Sequence, residues 1–357
     1  MENTKTPPLN VKKWFSYFFV VVSIVTGLLV TVATLQNELR GFDLYELFEA
    51  VTRWLPLVDL LMWSLLAIIT MILTSGIRIY GLLMAAGHPI RFMTALRYGV
   101  LSRYYVLITP WGLGGQPIMM GIMVKDGIPF GIATSVPMLD LFFMRFSMAI
   151  ITTLAFVIYS PLLDAYLFVF AIVGYFFTSF LPVVLILFSF NRRFASTVVT
   201  IIQHYWFKRT ANAVAKKIDD AFDDYRKAFK LVRHHYGVMF VVIIVSFLSQ
   251  IALLMVPYIV LGMFEPYFAT DALYSFDAAT FVGLMAFANT ILGVVPTIGS
   301  AGAAEFTFSS IFSTFITGQD LFWATFIWRF FVFYLWLLIG LGLLLFKNTP
   351  NDKKSKA

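Results

Sequence analysis

The chain has 357 residues, of which 60% are hydrophobic and only 13% are charged, and this composition excludes an ordinary soluble domain. It contains no cysteine, which excludes thiolate metal sites and iron–sulfur ligation, and its four histidines lack the spacing of a helical metal pair, so no cofactor is expected. Long apolar runs predict an all-α, polytopic transmembrane helix bundle with one integral membrane domain over residues 14–346, and the placement of the net charge of +7 predicts its orientation.

The N-terminal region is predicted to cross the membrane twice. Residues 1–13 are polar and basic, which indicates a cytoplasmic N-terminus, and the run Trp14–Leu35 is too long for the core of a signal peptide. An acidic loop follows, and Leu55–Ser75 returns across the membrane. Arg78 comes after this run, and three further arginines then mark the cytoplasmic side: Arg91, Arg97 and Arg103.

Glycines and prolines interrupt the next apolar region at Pro110–Pro117, which we term the first break. Irregular backbone is tolerated in hydrocarbon only where protein or a water-filled cavity satisfies its amide and carbonyl groups. The apolar arms on either side, Phe92–Thr109 and Ile118–Val124, are short for full crossings. The sequence therefore predicts a re-entrant helix pair that enters from the cytoplasmic side.

Two long apolar runs follow, Phe130–Tyr159 and Leu162–Phe190, and they bring the chain back to the cytoplasmic side. Residues 192–235 form the only long amphipathic stretch and are rich in lysine and arginine. This cytoplasmic connector either lies on the lipid surface or packs its apolar face on the bundle, and the sequence leaves both interpretations open.

The second half of the chain repeats the pattern of the first. Val238–Phe264 is predicted to cross outward, and Ala278–Val295 leads to the second break, residues 296–305. Leu321–Phe346 then returns to a basic cytoplasmic tail at residues 347–357, which fits either a re-entrant pair with one crossing or three crossings. With the re-entrant arrangement, the two broken helix pairs open to opposite sides, as in an inverted repeat.

Five charged residues stand inside apolar runs: Asp59, Asp140, Arg145, Glu305 and Arg329. A charge at mid-bilayer costs at least about 2.5–3.5 kcal/mol on insertion scales, so each is expected to have a partner, water or a function. Glu305 begins a half-helix, where the helix dipole favours a carboxylate, and Arg329 on the next helix can pair with it. These charges either bind an anionic headgroup together with the glycine-rich backbone or form buried salt bridges that fix helix register.

Several function classes are disfavoured by missing motifs. The chain has no glycine-rich phosphate loop ending in Gly-Lys-Ser/Thr, so ATP-driven pumping by this chain alone is not expected. It also lacks the Gly-x-Ser-x-Gly elbow of many hydrolases. Its aromatic content of 18% fits side chains that face lipid, and we expect no binding of nucleic acid.

The order of these motifs resembles the flippase-like membrane domain of lysylphosphatidylglycerol synthase, also called the multiple peptide resistance factor. The resemblance covers about residues 10–346. It is carried by Pro110-x-Gly112-x-Gly114-Gly115-Gln116-Pro117, Lys125-x-Gly127, Arg145, Pro296-x-x-Gly299-x-x-Gly302-x-x-Glu305 and Trp328-Arg329. This chain has Gln116 and Met144 at two positions where the family commonly has an acidic residue.

The resemblance implies movement of a lipid between leaflets of the bacterial plasma membrane. The soluble aminoacyltransferase domain that follows in family members with synthase activity is not expected within these 357 residues. The expected cargo is an anionic or aminoacylated phospholipid or a polyprenyl-phosphate lipid, and a homo-oligomer is compatible with the sequence. The alternatives are an enzyme that makes lysylphosphatidylglycerol and a non-transporting scaffold.

Residues expected to contact substrate are Arg103, Pro110, Gly112, Gly114, Gly115, Gln116, Asp140, Arg145, Pro296, Gly299, Gly302, Glu305 and Arg329.

Overall fold

The computed structural model describes residues 58–190, 234–264, 277–295, 297–313 and 315–346, together with the single residues Val25 and Lys230. The expectations for the polar N-terminus, the first predicted crossing, most of the amphipathic connector and the basic tail concern residues outside these ranges. The same holds for Pro296.

The described chain is an all-α bundle. In order, the helices are α1 (Val58–Ala85), α2 (Phe92–Leu107), α3 (Gly115–Lys125), α4 (Phe130–Tyr159), α5 (Ala165–Phe190), α6 (Tyr236–Gly262), α7 (Ala278–Leu292), α8 (Ala303–Phe312), α9 (Gly318–Arg329) and α10 (Leu335–Phe346). A wide π-helical turn, Phe330–Tyr334, joins α9 to α10 into one continuous helical span. Among the described residues, four helical segments are long and apolar enough to cross a membrane: α1, α4, α6 and the α9–α10 span.

Helix lengths show an internal repeat. The first half has helices of 28, 16, 11 and 30 residues, α1 to α4. The second half has 27, 15 and 10 residues in α6 to α8, followed by the α9–α10 span with 28 residues of membrane-spanning character. A Cβ atom added at Gly81, near the end of α1, would lie 3.2 Å from Val238 at the start of α6. The first helices of the two halves are therefore antiparallel, which makes the repeat inverted.

Each half contains a short helical hairpin instead of a crossing. In the first hairpin, α2–α3, the Tyr98 hydroxyl near the start of α2 donates a hydrogen bond of 3.0 Å to Asp126, just past the end of α3. In the second hairpin, α7–α8, Phe281 near the start of α7 stacks on Phe312 at the end of α8, with ring centroids 5.3 Å apart. A helix of 11 residues spans only about 17 Å of a hydrocarbon core about 30 Å thick. Both breaks are therefore the tips of re-entrant hairpins, and three full crossings in the second half are ruled out.

The hairpins enter the bundle from opposite ends of α6. The first hairpin follows directly from the end of α1, which packs on Val238 at the start of α6. The base of the second hairpin packs at the other end of α6, where the rings of Tyr258 and Phe281 lie 5.6 Å apart. A 27-residue helix is about 40 Å long, so the two hairpin bases lie on opposite sides of the membrane.

The structure corrects three expectations about charged residues. The second predicted crossing, Leu55–Ser75, does not end at Ser75, because α1 continues to Ala85 and buries Arg78 in the bundle. Arg103 lies in the middle part of the bundle instead of at a membrane surface, because the last two turns of α2 carry it toward the hairpin tip. Asp59 is exposed in the first turn of α1, where the helix dipole favours a carboxylate, so it needs no buried partner.

Candidate functional site

The tips of the two hairpins meet in the middle of the bundle. Pro110 in the first tip (residues 108–114) forms an isolated antiparallel backbone bridge with Ile298 in the second tip (residues 293–302). The indole N–H of Trp111 donates a hydrogen bond of 3.1 Å to the carbonyl oxygen of Val294. Each tip thus supplies polar backbone partners to the other, which satisfies groups that lipid could not.

Gly299 is required where the tips touch. Its φ of +59° is a left-handed conformation that side chains disfavour. An added Cβ would also overlap the ring of Phe333 and would lie 3.1 Å from the carbonyl oxygen of Leu107 in the first hairpin. The close approach of three elements at this point leaves no space for a side chain.

A buried ion pair fixes the second tip. Glu305 accepts hydrogen bonds from Arg329 Nε at 2.7 Å and from the backbone N–H of Gly302 at 2.8 Å, so it caps the N-terminus of α8 and joins α8 to α9. Both terminal nitrogens of Arg329 lie 3.2 Å from the carbonyl oxygen of Gly299. The guanidinium also stands over the ring of Phe333, 4.8 Å from its centroid. This confirms the pairing of Glu305 with Arg329 that the sequence allowed.

The first tip carries no charged contact of this kind. The Thr109 hydroxyl accepts a hydrogen bond of 2.9 Å from the backbone N–H of Gly114. Gly115 packs against α2, where an added Cβ would lie 2.8 Å from the carbonyl oxygen of Ser102. Trp111 and Leu113 are exposed, by 50% and 69% respectively. The first tip is therefore held by neutral contacts and presents apolar side chains outward.

A cavity of about 300 Å³ lies between the two tips and the surrounding helices α1, α4, α6, α9 and α10. This volume is at the lower end of the range of about 300–1,000 Å³ that is typical of ligand sites. Seven of the expected site residues line it: Arg103, Gly112, Gln116, Asp140, Arg145, Gly299 and Arg329. Pro110, Gly114, Gly115, Gly302 and Glu305 shape the tips around it.

Asp140 has a partner that the sequence did not indicate. Arg78 on α1 donates a hydrogen bond of 2.7 Å from Nε to Asp140 on α4, and both side chains are buried at the cavity wall. An arginine close to the end of an apolar run suggested a membrane surface instead. The sequence did contain one signal for the position of Arg78. Its spacing from Met71 and Ser75 puts all three on one face of α1, and in the structure this face lines the cavity.

Arg103 and Arg145 have no such partner. No carboxylate among the described residues lies within ion-pair distance of either guanidinium, although both side chains are partly buried and line the cavity. Arg103 stands 5.9 Å from the ring centroid of Trp336 on α10, which provides a cation–π contact.

Several other buried polar atoms on the cavity wall lack a hydrogen-bond partner within the described chain. Most are donors: Nη1 of Arg78, Nε of Arg103 and Nε1 of Trp336, beside the acceptor Oε1 of Gln116 and the hydroxyl of Thr297. Buried polar groups are nearly always hydrogen-bonded, so a donor-rich wall favours water and acceptor-rich anions in the cavity. Sequence reasoning missed Trp336 and Gln250, because a tryptophan or a glutamine within an apolar run carries no sign of which side chains it will face.

A metal centre has no support in the described part of the chain, where no group of three or more His, Cys, Asp and Glu side chains is placed to hold a metal ion. The wall combines paired and unpaired arginines with polar backbone at mid-depth. Such a site can hold a charged group away from bulk water.

Comparison with known proteins places this architecture in a family. Residues 18–340 match the family described as the lysylphosphatidylglycerol synthase TM region, which includes both hairpins and the whole cavity. No curated protein and no solved structure matches the chain. The match covers most of the sequence, and the chain therefore belongs to the family of the lysylphosphatidylglycerol synthase transmembrane region.

Proposed function

We propose that this multi-pass membrane protein moves a lipid between the two leaflets of the bacterial plasma membrane, with both termini in the cytoplasm. Its cargo is an anionic or aminoacylated phospholipid or a polyprenyl-phosphate lipid. The observation that carries the proposal is the meeting of two re-entrant hairpin tips, from opposite sides, beside a charged cavity. Paired interrupted helices at the membrane centre are typical of substrate sites in transporters built from inverted repeats.

The cavity offers a headgroup what the hydrocarbon core does not. A polar or charged headgroup that crosses the membrane loses its water, and unpaired charge in hydrocarbon is strongly unfavourable. Backbone groups of the two tips, Gln116 and the cavity arginines provide hydrogen bonds at that depth. In this mechanism the headgroup passes through the cavity while the acyl chains stay in the lipid.

The experiment is a leaflet-exchange assay with the purified full-length chain in vesicles. Fluorescent phosphatidylglycerol is bleached from the outer leaflet with dithionite, and the rate at which the protected inner pool becomes accessible is measured. We expect exchange well above that of protein-free vesicles. A wild-type rate equal to that of protein-free vesicles contradicts the proposal and favours a scaffold.

A matched pair of substitutions on α4 tests whether the cavity is the route. Met144→Trp places a larger side chain at the cavity wall, and we expect it to slow exchange at least about tenfold. A factor of ten corresponds to a loss of about 1.4 kcal/mol in binding free energy. Met138→Trp on the same helix is exposed and should leave the rate unchanged. Equal rates in both variants would remove the cavity from the pathway.

The enzymatic alternative has a separate readout. The same vesicles, supplied with lysyl-tRNA, are extracted and analysed for newly aminoacylated lipid. We expect none to form, and its formation by the purified chain would replace transport with synthesis.

A further inference from the structure

We propose that Arg103 and Arg145 together bind the phosphate of a lipid headgroup with a net negative charge, and that this pair makes the cavity select anionic headgroups over zwitterionic and cationic ones. The inference rests on the proposed function, because it names the class of lipid that the cavity accepts.

The described wall of the cavity carries more positive than negative charge. Four arginines of the described chain line it: Arg78, Arg103, Arg145 and Arg329. Two of them are neutralised within the protein, because Arg78 pairs with Asp140 and Arg329 pairs with Glu305, each at 2.7 Å. The remaining two leave the described wall with an excess of two positive charges.

The two unpaired arginines reach the cavity from different helices. Arg103 comes from α2 and Arg145 from α4, so two separate elements present the two cations to the same cavity. Like charges repel strongly where water is scarce, and an anion between them removes the repulsion. The planar guanidinium donates two parallel hydrogen bonds to phosphate oxygens, so a pair of arginines suits a phosphate diester.

The cavity offers few acceptors to a positively charged headgroup. An ammonium group needs acceptors, preferably a carboxylate, but Glu305 is engaged with Arg329 and Gly302, and Asp140 is engaged with Arg78. The partnerless polar atoms at the wall are mainly donors, with Gln116 Oε1 as the acceptor. A cationic or zwitterionic headgroup would therefore leave two arginines opposite its own positive charge.

Arg329 is assigned a different role. Its Nε and both terminal nitrogens are directed to Glu305 and Gly299, so its main effect is to hold the second tip in place. This distinguishes it from Arg103 and Arg145, which face the cavity without a carboxylate partner among the described residues.

The test compares fluorescent phosphatidylglycerol with fluorescent phosphatidylcholine and lysylphosphatidylglycerol in the leaflet-exchange assay. The variants are Arg103→Gln and Arg145→Gln, with Arg103→Lys and Arg145→Lys as charge-conserving forms. Arg97→Gln is the matched control, because Arg97 lies outside the cavity on α2 and faces Asp126 at 3.6 Å. Size-exclusion chromatography and melting temperature establish that each variant is folded.

We expect wild type to prefer phosphatidylglycerol over both other probes. Each glutamine variant should lose about tenfold to 100-fold of the phosphatidylglycerol rate, the range for one hydrogen bond to a charged group, and with it the preference. The lysine variants should keep the preference at a lower rate, and Arg97→Gln should match wild type. Glutamine variants that still discriminate by headgroup charge would overturn the inference, as would a wild type that exchanges all three lipids equally.

A second measurement separates failure of this inference from failure of the proposed function. The melting temperature of detergent-solubilised protein is recorded with glycerol 3-phosphate and with inorganic phosphate. Stabilisation by glycerol 3-phosphate that both glutamine substitutions abolish supports the phosphate site. The same stabilisation in a protein that moves no lipid would overturn the lipid as ligand and leave a site for a soluble anion. If lipid exchange is present but headgroup-blind, the proposed function stands and the arginine pair is excluded.

Discussion

The second hairpin tip is held by charge, whereas the first is held by neutral contacts, although the two hairpins have nearly equal helix lengths. Glu305 and Arg329 fasten the second tip to α9 through buried hydrogen bonds of 2.7 and 3.2 Å. The first tip relies on Thr109 and on the indole of Trp111, and its outer side chains are exposed. The inverted repeat thus gives both hairpins a similar backbone arrangement, whereas their side chains differ: an ion pair holds the second tip, and neutral hydrogen bonds hold the first.

The largest test of this comparison removes the anchor. Glu305→Ala leaves Arg329 buried without its partner and uncaps α8, so we expect a loss of about 3–5 kcal/mol in the free energy of unfolding. Unfolding of the purified protein in detergent, followed by circular dichroism, measures it. Asp126→Ala at the base of the first hairpin should cost only about 1–2 kcal/mol, because its contacts with Arg97 and with the Tyr98 hydroxyl are partly exposed. Equal losses in the two variants would show that the hairpins are anchored alike.

A smaller effect is expected from a methyl group at the contact between the tips. Gly299→Ala should lower the free energy of unfolding by about 1–3 kcal/mol, in addition to the cost of placing alanine at a positive φ. The reason is that the new Cβ overlaps Phe333 and crowds the carbonyl oxygen of Leu107. Gly127→Ala provides the control, since Gly127 has a φ of +90° and nothing within 4 Å of the added Cβ. The difference in unfolding free energy between the two variants isolates the packing cost. No difference would mean that the tips are not in close contact.

The smallest effect concerns the neutral link between the tips. Trp111→Phe keeps an aromatic ring and removes the N–H that donates to Val294, so we expect a loss of about 0.5–1.5 kcal/mol in unfolding free energy. Trp63→Phe, at an exposed position on α1, should change stability little. A Trp111→Phe variant that is as stable as Trp63→Phe would show that this hydrogen bond does not join the tips.

The sequence predicted the plan of the fold because its signals are local. Proline and glycine inside apolar runs marked both breaks, and helix length distinguished the hairpin arms from the long crossings in the first half. Glu305 and Arg329 were also recognisable, since a carboxylate after a glycine-rich break and an arginine one helix later are unusual in lipid. The second half allowed two topologies, and the lengths of α7 and α8, 15 and 10 residues, decide for the re-entrant pair because neither helix spans the hydrocarbon core.

The detail of the site was less accessible to sequence reasoning because it depends on contacts between distant helices. Arg78 and Asp140 are 62 residues apart, and no local pattern pairs them. The positive-inside rule assigned Arg103 to a membrane surface, yet it lies on the cavity because α2 stops inside the bundle. Which arginines are neutralised and which are not is a property of tertiary packing alone.

The bridge between Pro110 and Ile298 also bears on biosynthesis. When the first hairpin leaves the ribosome, its backbone partner is still about 190 residues from being made, which at about 5–20 residues per second is a delay of about 10–40 s. During that time the open backbone of the nascent tip stays near water or the insertion machinery, because pure lipid would not tolerate it. The membrane domain can therefore complete its centre only after nearly the whole chain has been translated.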